Sequence, residues 1–230
     1  MKPLNRKAYG HIGHLPGSRV GKTDRYITPG QAIIATQQTR DKYDNIVIQE
    51  KVDGSCVAVC KVNGAILPIT RAGNLACTSR FINHHLFYRW VMERIERFDK
   101  LLQEGERLVG EWIAQAHGTN YTILSNEEVF RAFDLMTEDK RLRYEDFMTR
   151  VAGKFETVPL ISYGPPHTPE WVMDHFPISG CGAAQVEGWV WRVETRYGVD
   201  FLAKWVRPDY EAGKYLPDIS NQNAVWNWRP

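Results

Sequence analysis

No apolar run in the 230-residue chain approaches the roughly 20 residues that a membrane-spanning helix needs. The opening residues, Met1-Lys2-Pro3-Leu4-Asn5-Arg6-Lys7, also lack the apolar centre of a secretory signal. A cytoplasmic protein with no membrane partner is expected. Cysteine is scarce: Cys56, Cys60, Cys77 and Cys181 make no Cys-x-x-Cys pair and have no matching histidine spacing. This argues against a disulfide framework or a structural zinc site and leaves reduced core thiols as the expectation. An excess of one charge sign is missing too, since the net charge is only +2. That excludes a histone-like basic binder while leaving room for a local basic groove. Repeats and low-complexity segments are also absent. With 43% hydrophobic and 24% charged residues, the composition fits a single well-cored domain.

The first forty residues carry Gly, His and Arg with little periodicity and are expected to be an ordered loop segment. Gly17-Ser18-Arg19-Val20-Gly21-Lys22-Thr23 has three residues between its glycines, where a phosphate-binding P-loop needs four, and no strand precedes it. His11 and His14 lack a third ligand nearby, so hydrogen-bonded or solvated histidines are expected there. Arg19, Lys22 and Arg25 would suit a phosphate strand. Further on, Asn45–Glu50 and Ser55–Cys60 read as strands rich in β-branched residues. Asn63-Gly64 then marks a type I′ hairpin into Ala65–Arg71, because both turn positions need positive φ. Pro68 implies an edge strand or a bulge. A long amphipathic helix is predicted over 80–104, closed by Gly105. Strands follow at 107–115 and 129–136, a helix at 144–155, a short strand at 157–162 and a short helix near 170–175. A hairpin of 185–194 and 199–206 turns at Arg196-Tyr197-Gly198. Antiparallel pairs with inserted helices indicate an α+β fold.

Lys51 falls at the break between the first two strands, in Glu50-Lys51-Val52-Asp53-Gly54. A lysine there is a surface charge or a nucleophile. As a nucleophile it must be neutral, so its pKa has to be brought down from about 10.4 by neighbouring cations, a metal ion or desolvation. Lys-x-Asp-Gly resembles motif I of the covalent nucleotidyltransferases, the polynucleotide ligases and mRNA capping enzymes. Five further stretches resemble the family's later motifs, in the family's order. They are Thr70-Arg71-Ala72-Gly73-Asn74, Val109-Gly110-Glu111-Trp112, Phe130-Arg131-Ala132-Phe133-Asp134, Val186-Glu187-Gly188-Trp189-Val190 and Ala203-Lys204-Trp205-Val206.

The resemblance implies an α+β nucleotidyltransferase (ATP-grasp-like) domain of antiparallel sheets flanked by helices. In it Lys51 attacks the α-phosphate of ATP, Asp53 organises the lysine loop and Lys204 contacts the α-phosphate. Glu50, Arg71, Glu111 and Phe133 join Lys51 and Lys204 around the nucleotide, Glu111 on the ribose and Phe133 on the purine. Glu187 binds the divalent metal, Mg²⁺ or Mn²⁺. A glutamate among Leu108, Val109, Gly110, Trp112 and Ile113 is costly if buried unpaired, which favours a role for Glu111; Phe133 on its own reads equally as core. The family's usual Lys-x-Lys has Leu202 at its first position here, and Arg207 offers a second cation at a different spacing.

Only residues 208–230 follow Arg207, too few for the OB-fold domain that DNA ligases and capping enzymes carry there. The expectation is one minimal domain over 1–230, with a loop-rich segment at 1–44, a motif-bearing core at 45–207 and a tail at 208–230. Gly-Glu-Trp, with His117 and Tyr121 downstream, looks more like the RNA ligase branch. The reading is therefore an ATP-dependent RNA ligase that joins 5′-phosphate and 3′-hydroxyl ends of nucleic acid, RNA preferred, through a Lys51-AMP intermediate. It leaves room for a protein partner that helps grip the substrate. A minimal DNA ligase, a guanylyltransferase and an inactive end-binding module are the alternatives.

Overall fold

The computed structural model describes residues 2–125 and 128–229. Its elements run β1 (Gly13–His14), α1 (Pro29–Thr36), β2 (Asn45–Lys51), β3 (Ser55–Val62), β4 (Ala65–Thr70), α2 (Ile82–Met92), α3 (Ile95–Leu101), β5 (Glu106–Trp112), β6 (Phe130–Thr137), β7 (Lys140–Arg141), α4 (Tyr144–Val151), β8 (Leu160–Gly164), α5 (Pro169–His175), β9 (Gly188–Thr195), β10 (Gly198–Val206) and α6 (Pro217–Ser220). The strands form two five-stranded sheets, one ordered β1-β10-β9-β2-β8 and the other β4-β3-β5-β6-β7. Every pairing is antiparallel except β1 with β10, which run parallel. The α+β expectation holds, with that one parallel pair added. Among the described residues, no helix is long and apolar enough to cross a membrane.

Strand alternation decides what each face does. In β2, Ile46 and Ile48 pack into a core under α1 and α5 with Trp189, Trp191, Val193 and Trp205. Gln49 and Lys51 face the other sheet and line a cavity there. In the second sheet, Leu108, Trp112, Phe130 and Leu135 pack under α2, α3 and α4 with Phe87, Trp90, Phe98 and Phe147. The opposite face of that sheet carries Ala58, Cys60, Val109 and Met136, covered by Ala8 and Tyr9 of the N-terminal segment. Each sheet is thus walled by helices on its outer side, and their facing surfaces leave the cleft between them.

The predicted turns recur where expected. Asn63 and Gly64 have φ of 52° and 73°, and Pro68 lies in β4 at a sheet edge. The helix expected over 80–104 is instead two, broken at Glu93-Arg94. The break lets Trp90 and Phe98 both reach Phe130, with ring centroids at 5.6 and 6.5 Å. Gly105 lies in the turn before β5 rather than at a helix end, and its N–H donates to the Lys61 carbonyl. The N-terminal segment is not all loop, because α1 forms behind a capping box. Thr28 accepts from the Gln31 N–H, Gln31 reaches back to the Thr28 N–H, and Pro29 opens the first turn. All four cysteines are free thiols; Cys60 and Cys181 are buried, Cys56 is half-buried and Cys77 is exposed, so the core expectation fails for Cys77.

Candidate active site

β2 ends at Lys51 in one sheet and β3 begins at Ser55 in the other. Val52-Asp53-Gly54 is therefore the crossover between sheets, which puts Lys51 at the mouth of the cleft. Gly54 is needed there for space, since a Cβ would sit 2.6 Å from the Trp112 carbonyl oxygen. Asp53 fastens the crossover. Its Oδ2 accepts the Gly118 and Thr119 N–H groups, both at 2.7 Å, while its own N–H donates to the Tyr121 hydroxyl at 2.8 Å.

Between the sheets lies a cavity of about 260 Å³ whose lining includes Lys51, Arg71, Glu111, Phe133 and Lys204. Residues from five separated stretches of sequence thus meet on one surface. Phe133 presents its ring beside Tyr9, edge to face at 5.2 Å, and Val158, Val190 and Leu202 supply apolar wall around it. Arg71 donates to the Gly10 carbonyl at 2.9 Å. It also borders a second, more open depression of about 610 Å³ lined by Ser79, Phe81 and His84. Glu187 stands at the start of β9, with Oε2 only 2.6 Å from Lys51 Nζ.

Two expected members are placed differently. Glu50 borders the cavity, but its carboxylate accepts from the Ser179 hydroxyl and, at 2.8 Å, from the Gly180 N–H. Strand alternation turns it away from the face that Gln49 and Lys51 share. Arg207 is occupied by the Val186 carbonyl, at 2.5 Å, and by Asp209 at 2.7 Å. Only Lys204 of the two candidate cations lines the cavity. Tyr9, Gly10 and Ile12 also line it, and no periodicity in the N-terminal segment marks them for that place. The expectation that Lys51 is held below its ordinary pKa fails for the protein alone. Burial works in that direction, but Glu187, then Glu111 and Asp53, outweigh it and raise the lysine. Burial pushes Glu187 up to about 7 against the pull of Lys51, and Glu111 up to about 8.

Buried carboxylate is concentrated beside one lysine here. Among the described residues, no group of three or more His, Cys, Asp or Glu is set to hold a metal by itself. A Mg²⁺ bound through one or two carboxylates and substrate phosphates needs no such group. Glu187, with Glu111 near, fits that mode.

Two facing sheets joined by a crossover that carries Lys51, with Lys204 two strands away on the same sheet and Glu111 on the other, have the architecture of a nucleotidyltransferase domain. An RNA ligase family model matches residues 44–206, and the chain belongs to the RNA ligase family. A mutant of Naegleria gruberi RNA ligase with ATP and Mn is similar in structure at a TM-score of 0.55 and 20% identity, covering 91% of this chain and 62% of that one. The same ligase with PPi gives 0.54 and 21% over the same shares. A putative ATP-dependent DNA ligase from Aquifex aeolicus gives 0.50 and 16%, covering 86% and 49%. At these identities the likeness is one of fold, and this chain spans less than two thirds of each of those proteins. No curated protein matches the sequence.

Proposed function

We propose that the protein is an ATP-dependent RNA ligase that seals a 5′-phosphate to a 3′-hydroxyl through adenylated Lys51. The observation that carries this reading is the meeting of Lys51, Arg71, Glu111, Phe133 and Lys204 around one cavity, with Glu187 2.6 Å from the lysine amine. Phe133 would cover the purine, Glu111 would accept from a ribose hydroxyl, and Lys204 would draw charge from the α-phosphate oxygens. Lys51 must give up a proton before attack. Pyrophosphate leaves as the Nζ–P bond forms. A divalent cation on Glu187 would neutralise phosphate charge and loosen the carboxylate's hold on the Lys51 ammonium. Glu50 would support β2 through Ser179 and Gly180 rather than touch the base.

The depression beyond Arg71 suits a polynucleotide end, with Arg71 contacting its 5′-phosphate. RNA is the preferred end in this reading, which leaves room for a protein partner that helps grip it. A single catalytic unit is supported by the way both flanks pack on the same two sheets, 13–15 along β10 and 225–228 along 113–116. Free thiols fit a cytoplasmic setting.

The test is incubation with α-labelled ATP or GTP and Mg²⁺, reading label retained on the denatured chain. ATP label that vanishes in Lys51→Ala is expected. Label from GTP instead points to a guanylyltransferase, and none from either, in folded protein not already adenylated, to an end-binding module. Nicked RNA and DNA duplexes supplied to the adenylated protein then decide the polynucleotide.

A further inference from the structure

The segment preceding the family-matched residues grips β10 at the position of Lys204. β1 lies parallel to β10, with His14 opposite Lys204, and the Leu15 N–H donates to the Lys204 carbonyl at 2.8 Å. From the loop that follows, Asp24 returns to the same place. Its Oδ1 is 3.6 Å from Lys204 Nζ, and its Oδ2 is 3.2 Å from His14 Nε2 and 3.0 Å from the Gly21 N–H. His14 is held in turn, with Nδ1 2.6 Å from the Ser18 hydroxyl, which accepts the Val206 N–H at 2.9 Å. The tautomer that carries its proton on Nε2, facing Asp24, leaves Nδ1 to accept from Ser18.

We propose that Asp24 is a positioning residue for Lys204, anchoring its ammonium at the cavity mouth from an element outside the family core. The proposal rests on Lys204 being the α-phosphate contact. A lysine side chain is long and rotationally free, and Lys204 stands near the like charge of Lys51. The Asp24 carboxylate is an anion 3.6 Å from the Lys204 ammonium and keeps it from turning to solvent. At 3.6 Å the contact is an ion pair beyond hydrogen-bond length, so the three ammonium donors remain free for phosphate oxygens. The need is greater here because Leu202 replaces the first basic residue of the family's Lys-x-Lys pattern, leaving one lysine to be placed. Burial first and then Lys51 depress the Lys204 ammonium, and Asp24 opposes both.

The experiment compares the full-length wild type with Asp24→Asn, Asp24→Glu and Lys204→Ala. Asparagine retains an acceptor for the Gly21 N–H, so the loop is kept. Two measurements are made: single-turnover labelling from α-labelled ATP with Mg²⁺ across ATP concentrations, and acetylation of Lys204 in nucleotide-free protein by a limiting amine reagent, read by peptide mass spectrometry. In Asp24→Asn the maximal labelling rate should fall about 10- to 100-fold with little change in the ATP concentration for half-maximal rate, and Lys204 acetylation should rise several-fold. Asp24→Glu should restore most of both, and melting temperatures should stay close. Wild-type rate and wild-type Lys204 reactivity in Asp24→Asn would overturn the proposal. So would a loss shared by Asp24→Glu with a general rise in lysine acetylation, which marks simple unfolding. If the wild type takes no label from ATP, the ligase reading falls on its own, and the acetylation of Lys204 alone decides the role of Asp24.

Discussion

Glu111 is held where ionisation is hardest, and that makes it a measurable liability in the nucleotide-free protein. Burial raises its carboxyl to about 8, and Glu187 rises to about 7. An acid whose folded value lies above its unfolded one binds its proton more tightly when folded. Stability from these groups is therefore present at low pH and is lost as pH rises from about 4.5 toward 8. Glu111→Gln removes one such penalty. Its thermal stability should exceed the wild type's by on the order of 1–3 kcal/mol at pH 8 and differ little at pH 5, while labelling from ATP falls. Equal gains at both pH values would show packing rather than charge at work. Asp53 contributes through hydrogen bonds, because its carboxylate satisfies two buried N–H groups. Asp53→Ala should lose about 2–4 kcal/mol and Lys51 labelling with it, and Asp53→Asn less; urea unfolding of the three proteins checks the order.

At the scale of elements, the six motif stretches could be read from residue pattern and resemblance because each is local. The type I′ hairpin, the edge position of Pro68 and the hairpin of β9 and β10 were legible for the same reason. What escaped depends on distance. β1 is a two-residue strand set by a partner at 203–204, and nothing near Asp24 in sequence indicates that it meets Lys204. α1 is hard to read in the sequence although Thr28, Pro29 and Gln31 write out its start, because eight residues are too few for a periodic stripe to stand out. The turning of Glu50 away from the cavity follows from strand parity once Lys51 is known to face in. Gly188 carries a constraint that residue type alone hints at. A Cβ there would lie 1.9 Å from the Trp205 carbonyl oxygen on β10, and β9 must approach that closely for Glu187 to reach Lys51. Gly188→Ala should destabilise by roughly 3 kcal/mol or more and abolish labelling. A melting temperature like the wild type's would mean that the two strands can part without cost.

For the molecule as a whole, function depends on how the two sheets face each other, since each supplies only part of the site. Their angle is fixed below the cavity by a buried ion pair, in which Arg192 on β9 places Nη1 and Nη2 both 2.6 Å from Asp134 Oδ1 on β6. Asp134 also accepts from the Tyr9 hydroxyl at 2.7 Å and from Arg141 at 3.2 Å, and Arg192 Nε donates to Glu194 at 3.0 Å. The N-terminal segment is thereby tied to both sheets. Removing Asp134 leaves the buried Arg192 with Glu194 alone as a charged partner, so Asp134→Ala should cost about 3–5 kcal/mol. Replacing both, as Asp134→Leu with Arg192→Met, removes the two central charges together and should recover much of that loss, because Glu194 keeps Arg143 and the Tyr144 N–H as partners and Arg141 is partly exposed. Apolar contact has no preferred direction, however, whereas the forked guanidinium on a carboxylate does. The double variant should unfold near the wild type in urea and yet label Lys51 slowly, since Glu187 and Lys204 would approach from a sheet no longer held at one angle to Glu111 and Arg71. Wild-type labelling in a stable double variant would assign the pair to stability alone and leave the sheet angle to the crossover at Asp53.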